Sequence, residues 1–262
     1  MILLAVRNTF LSKEHLKEDV YNEIYGQRGY KKKKGLLAWL HSSLNRYEEN
    51  RCTVVFKLLE KGGRLLDVGC GNGDFCIMAK QLFDATYGVD VSSVRIFNAA
   101  SKVKNRVDKD SFYFMQHDID ESLPFPNDFF DIVTCVATLE YVVYPRRVIM
   151  EVQRVLKPGG HFILQVSNIA FLPNRFALLI GKLPTAGGID ENGVDWERLH
   201  SFNKKIVVTL VERTKLKVVS LTCSGIFARL RKIYPSLLAG DIIIKAKKPK
   251  VKQRGQSASA ND

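Results

Sequence analysis

The sequence predicts a doubly wound α/β fold, a mostly parallel sheet with helices on both faces. Three observations carry the prediction. From residue 64 onward, short apolar runs alternate with stretches of helical period. The first run ends in a glycine-rich turn, LLDVGCGNGDF from Leu65 to Phe75. Acids close the first three runs, at Asp67, Asp90 and Asp118. Strands that alternate with helices give parallel pairing. Right-handed crossovers then bring the strand carboxyl ends to one edge, where open sheets bind ligands.

The elements follow in order. Leu65–Val68 reads as a strand, and Phe75, Met78, Ala79 and Leu82 fall on one helical face. Thr86–Val89 is a second strand, with a helix over Val94–Lys104 after it. Phe112–Met115 and Ile132–Val136 are the third and fourth strands. Val148, Val152, Val155 and Leu156 stripe a helix that Lys157-Pro158-Gly159-Gly160 is expected to terminate. Phe162–Val166 is the fifth strand. Residues 167–200 break the rhythm and carry Pro173, Pro184, Gly187, Gly188 and Gly193; a long segment at the ligand edge reads as a lid. A helix over Asn203–Thr214 and strands at Lys217–Thr222 and Asp241–Ala246 close the domain, which spans 51–248. Residues 1–50 read as a helical cap on the same edge, and 249–262 as a basic, disordered tail.

Composition narrows the function. No apolar run approaches a spanning helix, and the N-terminus lacks the pattern of a signal peptide, so a cytoplasmic location is expected. The five cysteines (Cys52, Cys70, Cys76, Cys135, Cys223) include no CxxC pair, so reduced structural thiols and no metal site are expected. The formal net charge of +13 is fed by Lys31–Lys34 and by Lys245, Lys247, Lys248, Lys250, Lys252 and Arg254. Such clusters read either as a nucleic-acid or anionic-membrane footprint or as simple solubility.

The glycine turn separates two cofactor classes. A dinucleotide asks for GxGxxG and sets its pyrophosphate on the helix N-terminus. Here Gly69-Cys70-Gly71-Asn72-Gly73 is followed by Asp74, where the third glycine of that pattern should stand. Asp67 adds a carboxylate, and no Lys or Arg lies between Leu65 and Ile77. That suits a cationic ligand such as S-adenosylmethionine better than a diphosphate. Asp90 can accept ribose hydroxyls. Asp118 can accept an adenine amino group while Ile119 offers its amide.

LDVGCGNGDF, GVDVS, HDI, FDIVTCVATLEYV and EVQRVLKPGG resemble, in order, the motifs of class I S-adenosylmethionine-dependent methyltransferases with a type 11 domain. The resemblance covers about residues 50–167. It implies a Rossmann-like seven-stranded sheet whose last strand is antiparallel. It assigns Asp67, Gly69, Gly71 and Gly73 to the methionine end of the cofactor, with Cys70 and Asn72 of the same turn also cofactor-binding. Asp90 goes to the ribose, with Val91 beside it also cofactor-binding, Asp118 and Ile119 to the adenine, and Cys135 and Val136 to the cofactor wall. Where such proteins often read Leu-Glu-His, this chain has Leu139-Glu140-Tyr141. The segment from Ser167 to Phe202 is loosely similar to relatives of the methionine-biosynthesis W type, at Asn174-Arg175 and His200-Ser201-Phe202.

Methyl transfer from a sulfonium needs an acceptor held close and collinear, with or without a general base. His200 is the candidate base; the competing reading is a helix-start histidine with Ser201 as N-cap. Tyr21, Tyr25 and Tyr141 either shape the pocket or pack. Ile169–Leu183 is an apolar lid, or alternatively a channel for a lipid- or quinone-like acceptor or a membrane-touching surface. The expected acceptor is a small or lipid-like molecule. The alternatives are RNA or protein held by the basic face, and an accessory protein that binds the cofactor without transfer.

Overall fold

The computed structural model describes residues 50–182, 198–224 and 233–250. The helical cap, Tyr21, Tyr25 and Lys31–Lys34 lie outside the described residues, as do the middle of the 167–200 segment and the chain beyond Lys250.

One seven-stranded sheet organises the rest. The chain runs α1 (Arg51–Lys57), β1 (Gly62–Val68), α2 (Asp74–Ala79), β2 (Phe83–Asp90), α3 (Ser93–Val103), β3 (Phe112–Gln116), β4 (Phe130–Val136), α4 (Pro145–Val155) and β5 (Leu156–Ser167). It continues with α5 (Leu172–Leu179), α6 (Lys204–Glu212), β6 (Lys217–Thr222), α7 (Pro235–Leu238) and β7 (Asp241–Lys247). The strand order is β3-β2-β1-β4-β5-β7-β6. The first five strands pair in parallel, and β7 lies antiparallel between β5 and β6. The order reverses between β1 and β4, which places the ligand crevice of an open sheet at their carboxyl ends.

The strand residues alternate between two cores because side chains alternate across the sheet. Leu66, Val68, Val133 and Leu164 pack with the Val148, Ile149, Val152 and Val155 stripe of α4 and with Val207 and Val211 of α6. Leu65, Ile132, Ile163 and Ile243 pack against Val54 and Val55 of α1 and Phe75 and Ala79 of α2. The helix starts carry their own caps. Asn50, Ser92 and Asn203 each accept a first-turn amide, and Pro145 opens α4.

One detail differs from the sequence reading. Helix α4 ends at Val155, and Leu156 already has extended angles, so Lys157–Gly160 forms the start of β5 rather than the helix stop. Of the second basic cluster, Lys245 and Lys247 lie on β7 and Lys248 directly follows it. Lys245 pairs with Glu60 at 2.6 Å. The Lys248 ammonium donates to the Gln153 and Leu156 carbonyls, each at 2.7 Å, and pairs with Asp128. It thereby satisfies carbonyls that the end of α4 leaves without amide partners.

The site loops are anchored from below. Arg154 donates to the Leu123 and Phe125 carbonyls, while Glu151 accepts the Leu123 amide. Asp120 accepts the amides of Val143 and Tyr144, joining the loop after β3 to the loop after β4. No described helix is long and apolar enough to cross a membrane.

Candidate cofactor site

The glycine turn is built from left-handed backbone. Gly69, Gly71 and Gly73 have φ of 76°, 53° and 73°, a region where a Cβ is costly. Close contact adds to the requirement at two of them. A Cβ on Gly69 would lie 2.2 Å from Thr138 Oγ1, and one on Gly73 would lie 2.8 Å from Ala99 and Phe114. The amides of Gly69 and Cys70 both donate to the Val89 carbonyl, so the turn folds back over the end of β2.

Asp90 locks the two loops together. One carboxylate oxygen accepts the Gly71 amide at 2.9 Å and the other accepts the Ser92 amide at 3.0 Å. The residue is buried, yet it still lines a cavity of about 320 Å³ above the strand ends. A carboxylate offers about four lone-pair sites, so two amides leave capacity for further donors.

The cavity brings together Gly69, Asp90, Val91, Asp118, Ile119 and Val136 among the residues expected from sequence. Cys70, Gly71, Asn72, Gly73 and Asp67 do not line it. Gly71 and Gly73 shape the turn instead, Cys70 packs against Gly88, and the Asn72 carbonyl accepts from Lys102. Cys135 does not line it either, because alternation turns its side chain into the core. Burial pushes the Cys70, Cys76 and Cys135 thiols well up, so none is a ready nucleophile.

His200 is also absent from the wall. Its Nε2 lies 3.2 Å from the Val143 carbonyl oxygen, which can only accept, so this nitrogen carries the hydrogen. The imidazole thus stands one residue beyond Val142, which does line the cavity. Ser201 is not the cap of the following helix. Asn203 is, accepting the Ile206 amide at 2.9 Å.

Arg95, Ala137, Thr138 and Val142 complete the wall with Tyr141, and the sequence reading did not assign the first four. Thr138 and Val142 sit inside the quoted run FDIVTCVATLEYV, so that run held the signal. Arg95 comes one turn into α3, behind the Ser92 cap, with its Nη1 3.6 Å from a Cβ position on Gly71. It changes the charge balance inferred from the linear sequence, since a cation does reach the turn. Asp74, meanwhile, points away and pairs with Lys102 at 2.6 Å. The acids left for a ligand are Asp90 and Asp118. Among the described residues no group of His, Cys, Asp and Glu could hold a metal ion.

Asp67 lies beneath the turn, 4% exposed, and accepts from Thr134 Oγ1 at 2.7 Å. Burial pushes its carboxyl up to about 7, the Thr134 bond opposes this, and the charge of Asp90 adds to it. The folded chain therefore keeps a proton that the unfolded chain releases as pH rises from the ordinary carboxylate range toward 7. Stability falls across that window, and the cost is complete above it. Asp67→Asn is expected to stabilise the protein at pH 8 by about 2–4 kcal/mol, with the gain vanishing near pH 4. Urea midpoints at several pH values check this, and a gain independent of pH would contradict the assignment.

The cavity fits a nucleoside. It has two carboxylates at successive strand ends, and at about 320 Å³ it falls at the small end of the usual range for ligand pockets. Comparison with known proteins agrees. Residues 66–164 match the family described as methyltransferase domain. An uncharacterized methyltransferase, YcgJ of Bacillus subtilis, is 35% identical over 145 residues, covering 54% of this chain and 56% of that protein. The ubiquinone/menaquinone biosynthesis C-methyltransferase UbiE of Stutzerimonas stutzeri is 30% identical over 148 residues, covering 52% of this chain and 57% of that one. The match thus spans little more than half the length of these relatives. The crystal structure of YcgJ superposes with a TM-score of 0.57 at 18% identity, covering 80% of this chain and 99% of that one, a likeness of fold.

Proposed function

We propose that the domain, over residues 51–248, binds S-adenosylmethionine in this cavity and transfers its methyl group to a small or lipid-like acceptor. The observation that carries the reading is the pair Asp90 and Asp118 on the cavity wall beside a left-handed glycine turn. When bound, S-adenosylmethionine supplies a methyl already activated on a sulfonium. The chain's own work is to hold and orient. Asp90 would take ribose hydroxyls with its remaining lone pairs, and Asp118 an adenine amino group. Gly69 offers backbone without a side chain in the way. Thr138 and Tyr141 form the wall toward the carboxyl end of β4. His200 stands just outside that wall and is a base only for an acceptor that reaches past Val142. The quinone-biosynthesis name of one relative supports a lipid-like acceptor.

Calorimetry of the full chain should show S-adenosylmethionine and S-adenosylhomocysteine binding in the micromolar range and no binding of NAD. NAD in their place would overturn the assignment. Incubation with methyl-labelled cofactor and fractionated cell extract should place label in small-molecule or lipid fractions. Label confined to RNA or protein would redirect the acceptor, and tight binding with no transfer to any fraction would point to an accessory role.

A further inference from the structure

Four segments beside the cavity form one continuous surface. Asn168, 1% exposed, is its node. Its side-chain amide donates to the Ala239 carbonyl at 2.8 Å, its backbone amide to Gly240, and it bridges to Phe202. The Glu140 carbonyl accepts the Leu199 and His200 amides and so joins the loop after β4 to the same surface.

This surface is apolar and cationic at once. None of the residues of α5 is buried. Phe176, Leu178, Leu179 and Ile180 are 59%, 52%, 79% and 69% exposed, and Tyr144 and Ile233 add to them. Residues 141–147, 167–182, 198–206 and 233–240 contain no Asp or Glu. Arg146, Arg147, Arg175, Lys182 and Lys205 within them are exposed. Water-facing apolar groups of this size and continuity mark a contact surface.

We propose that this face docks on an anionic phospholipid bilayer, with the apolar side chains of α5 entering the interface and the basic side chains lying among the headgroups. The charge argues for lipid: cations come from three of the four segments, with no acid in any of them, which complements a broad negative plane. The helix argues the same way. With no buried residue it stands out from the body of the fold rather than walling a groove for a peptide. Tyr141 and Val142 line the cavity while Val143 and Tyr144 face outward on this surface, so docking would set the cavity mouth beside the membrane. The value of that placement for a lipid-like acceptor rests on the function proposed above; the docking itself does not.

Co-sedimentation of the full chain with vesicles tests it. The protein should bind vesicles of phosphatidylcholine mixed with phosphatidylglycerol and bind pure phosphatidylcholine weakly. The double substitutions Leu179→Glu/Ile180→Glu and Arg175→Glu/Lys182→Glu should each weaken binding about tenfold or more. Melting temperature and S-adenosylmethionine calorimetry should stay unchanged in both, which separates failed docking from a failed cofactor site. Equal binding to both vesicle types would overturn the proposal. So would undiminished binding of Leu179→Glu/Ile180→Glu, which would assign the attraction to basic clusters elsewhere. Binding to RNA, lost in these variants, with none to vesicles, would overturn it in favour of a nucleic-acid surface.

Discussion

Gly69→Ala should destabilise the protein by about 3–5 kcal/mol, at the severe end for a single substitution. Two costs add. The φ of 76° asks a non-glycine residue to adopt left-handed backbone, worth about 1–2 kcal/mol. The new methyl would also meet Thr138 Oγ1 at 2.2 Å and Cγ2 at 2.3 Å, and neither can withdraw without moving the loop after β4. Gly71→Ala separates the two contributions. Its φ is 53°, but its Cβ would meet nothing closer than the end of Arg95 at 3.6 Å, so it should lose only the backbone cost, about 1 kcal/mol. Thr138→Ala in the Gly69→Ala background should recover part of the loss, because it removes the two nearest atoms. Urea midpoints of the four proteins measure this. Equal losses in Gly69→Ala and Gly71→Ala would mean that the contact with Thr138 does not set the turn.

Asp90→Ala should lower affinity for S-adenosylmethionine by about two orders of magnitude, or roughly 3 kcal/mol. The carboxylate is placed to accept ligand hydroxyls, and it also holds the Gly71 and Ser92 amides. Removing it costs a charged acceptor and leaves two amides without their partner in a buried setting. The turn and the start of α3 then lose the link that fixes their separation. Asp90→Asn should fall between, since its one carbonyl oxygen can replace only one of the two acceptors. Calorimetry gives the affinities, and a melting curve gives the structural share. Asp90→Ala with unchanged affinity would remove this acid from the site.

The elements were legible because their signals are local. Strands buried on both faces read as short apolar runs, as at Leu65–Val68 and Ile132–Val136. The α4 stripe of Val148, Val152 and Val155 keeps helical period. Boundaries were less legible where one signal had two readings. The Lys157-Pro158-Gly159-Gly160 run looks like a helix stop, yet the backbone turns extended one residue before it, at Leu156, which pairs with Phe130, and the run itself forms a register shift within β5. Asp90, Asp118 and Gly69 could be placed at the ligand edge from sequence, since strand ends in a parallel sheet share an edge.

What the residues determined by themselves was the α/β order, the left-handed turn that only glycine adopts cheaply, and the acids at three strand ends. Those follow from backbone sterics and side-chain periodicity, which act over a few positions. Folding decided which charges meet. Lys102 takes Asp74, Arg95 reaches the turn, Lys248 ties the end of α4, and Asp67 sinks beneath the loop with its carboxyl raised to about 7. Coulomb interactions and desolvation depend on distance in space and on burial, and neither is written along the chain.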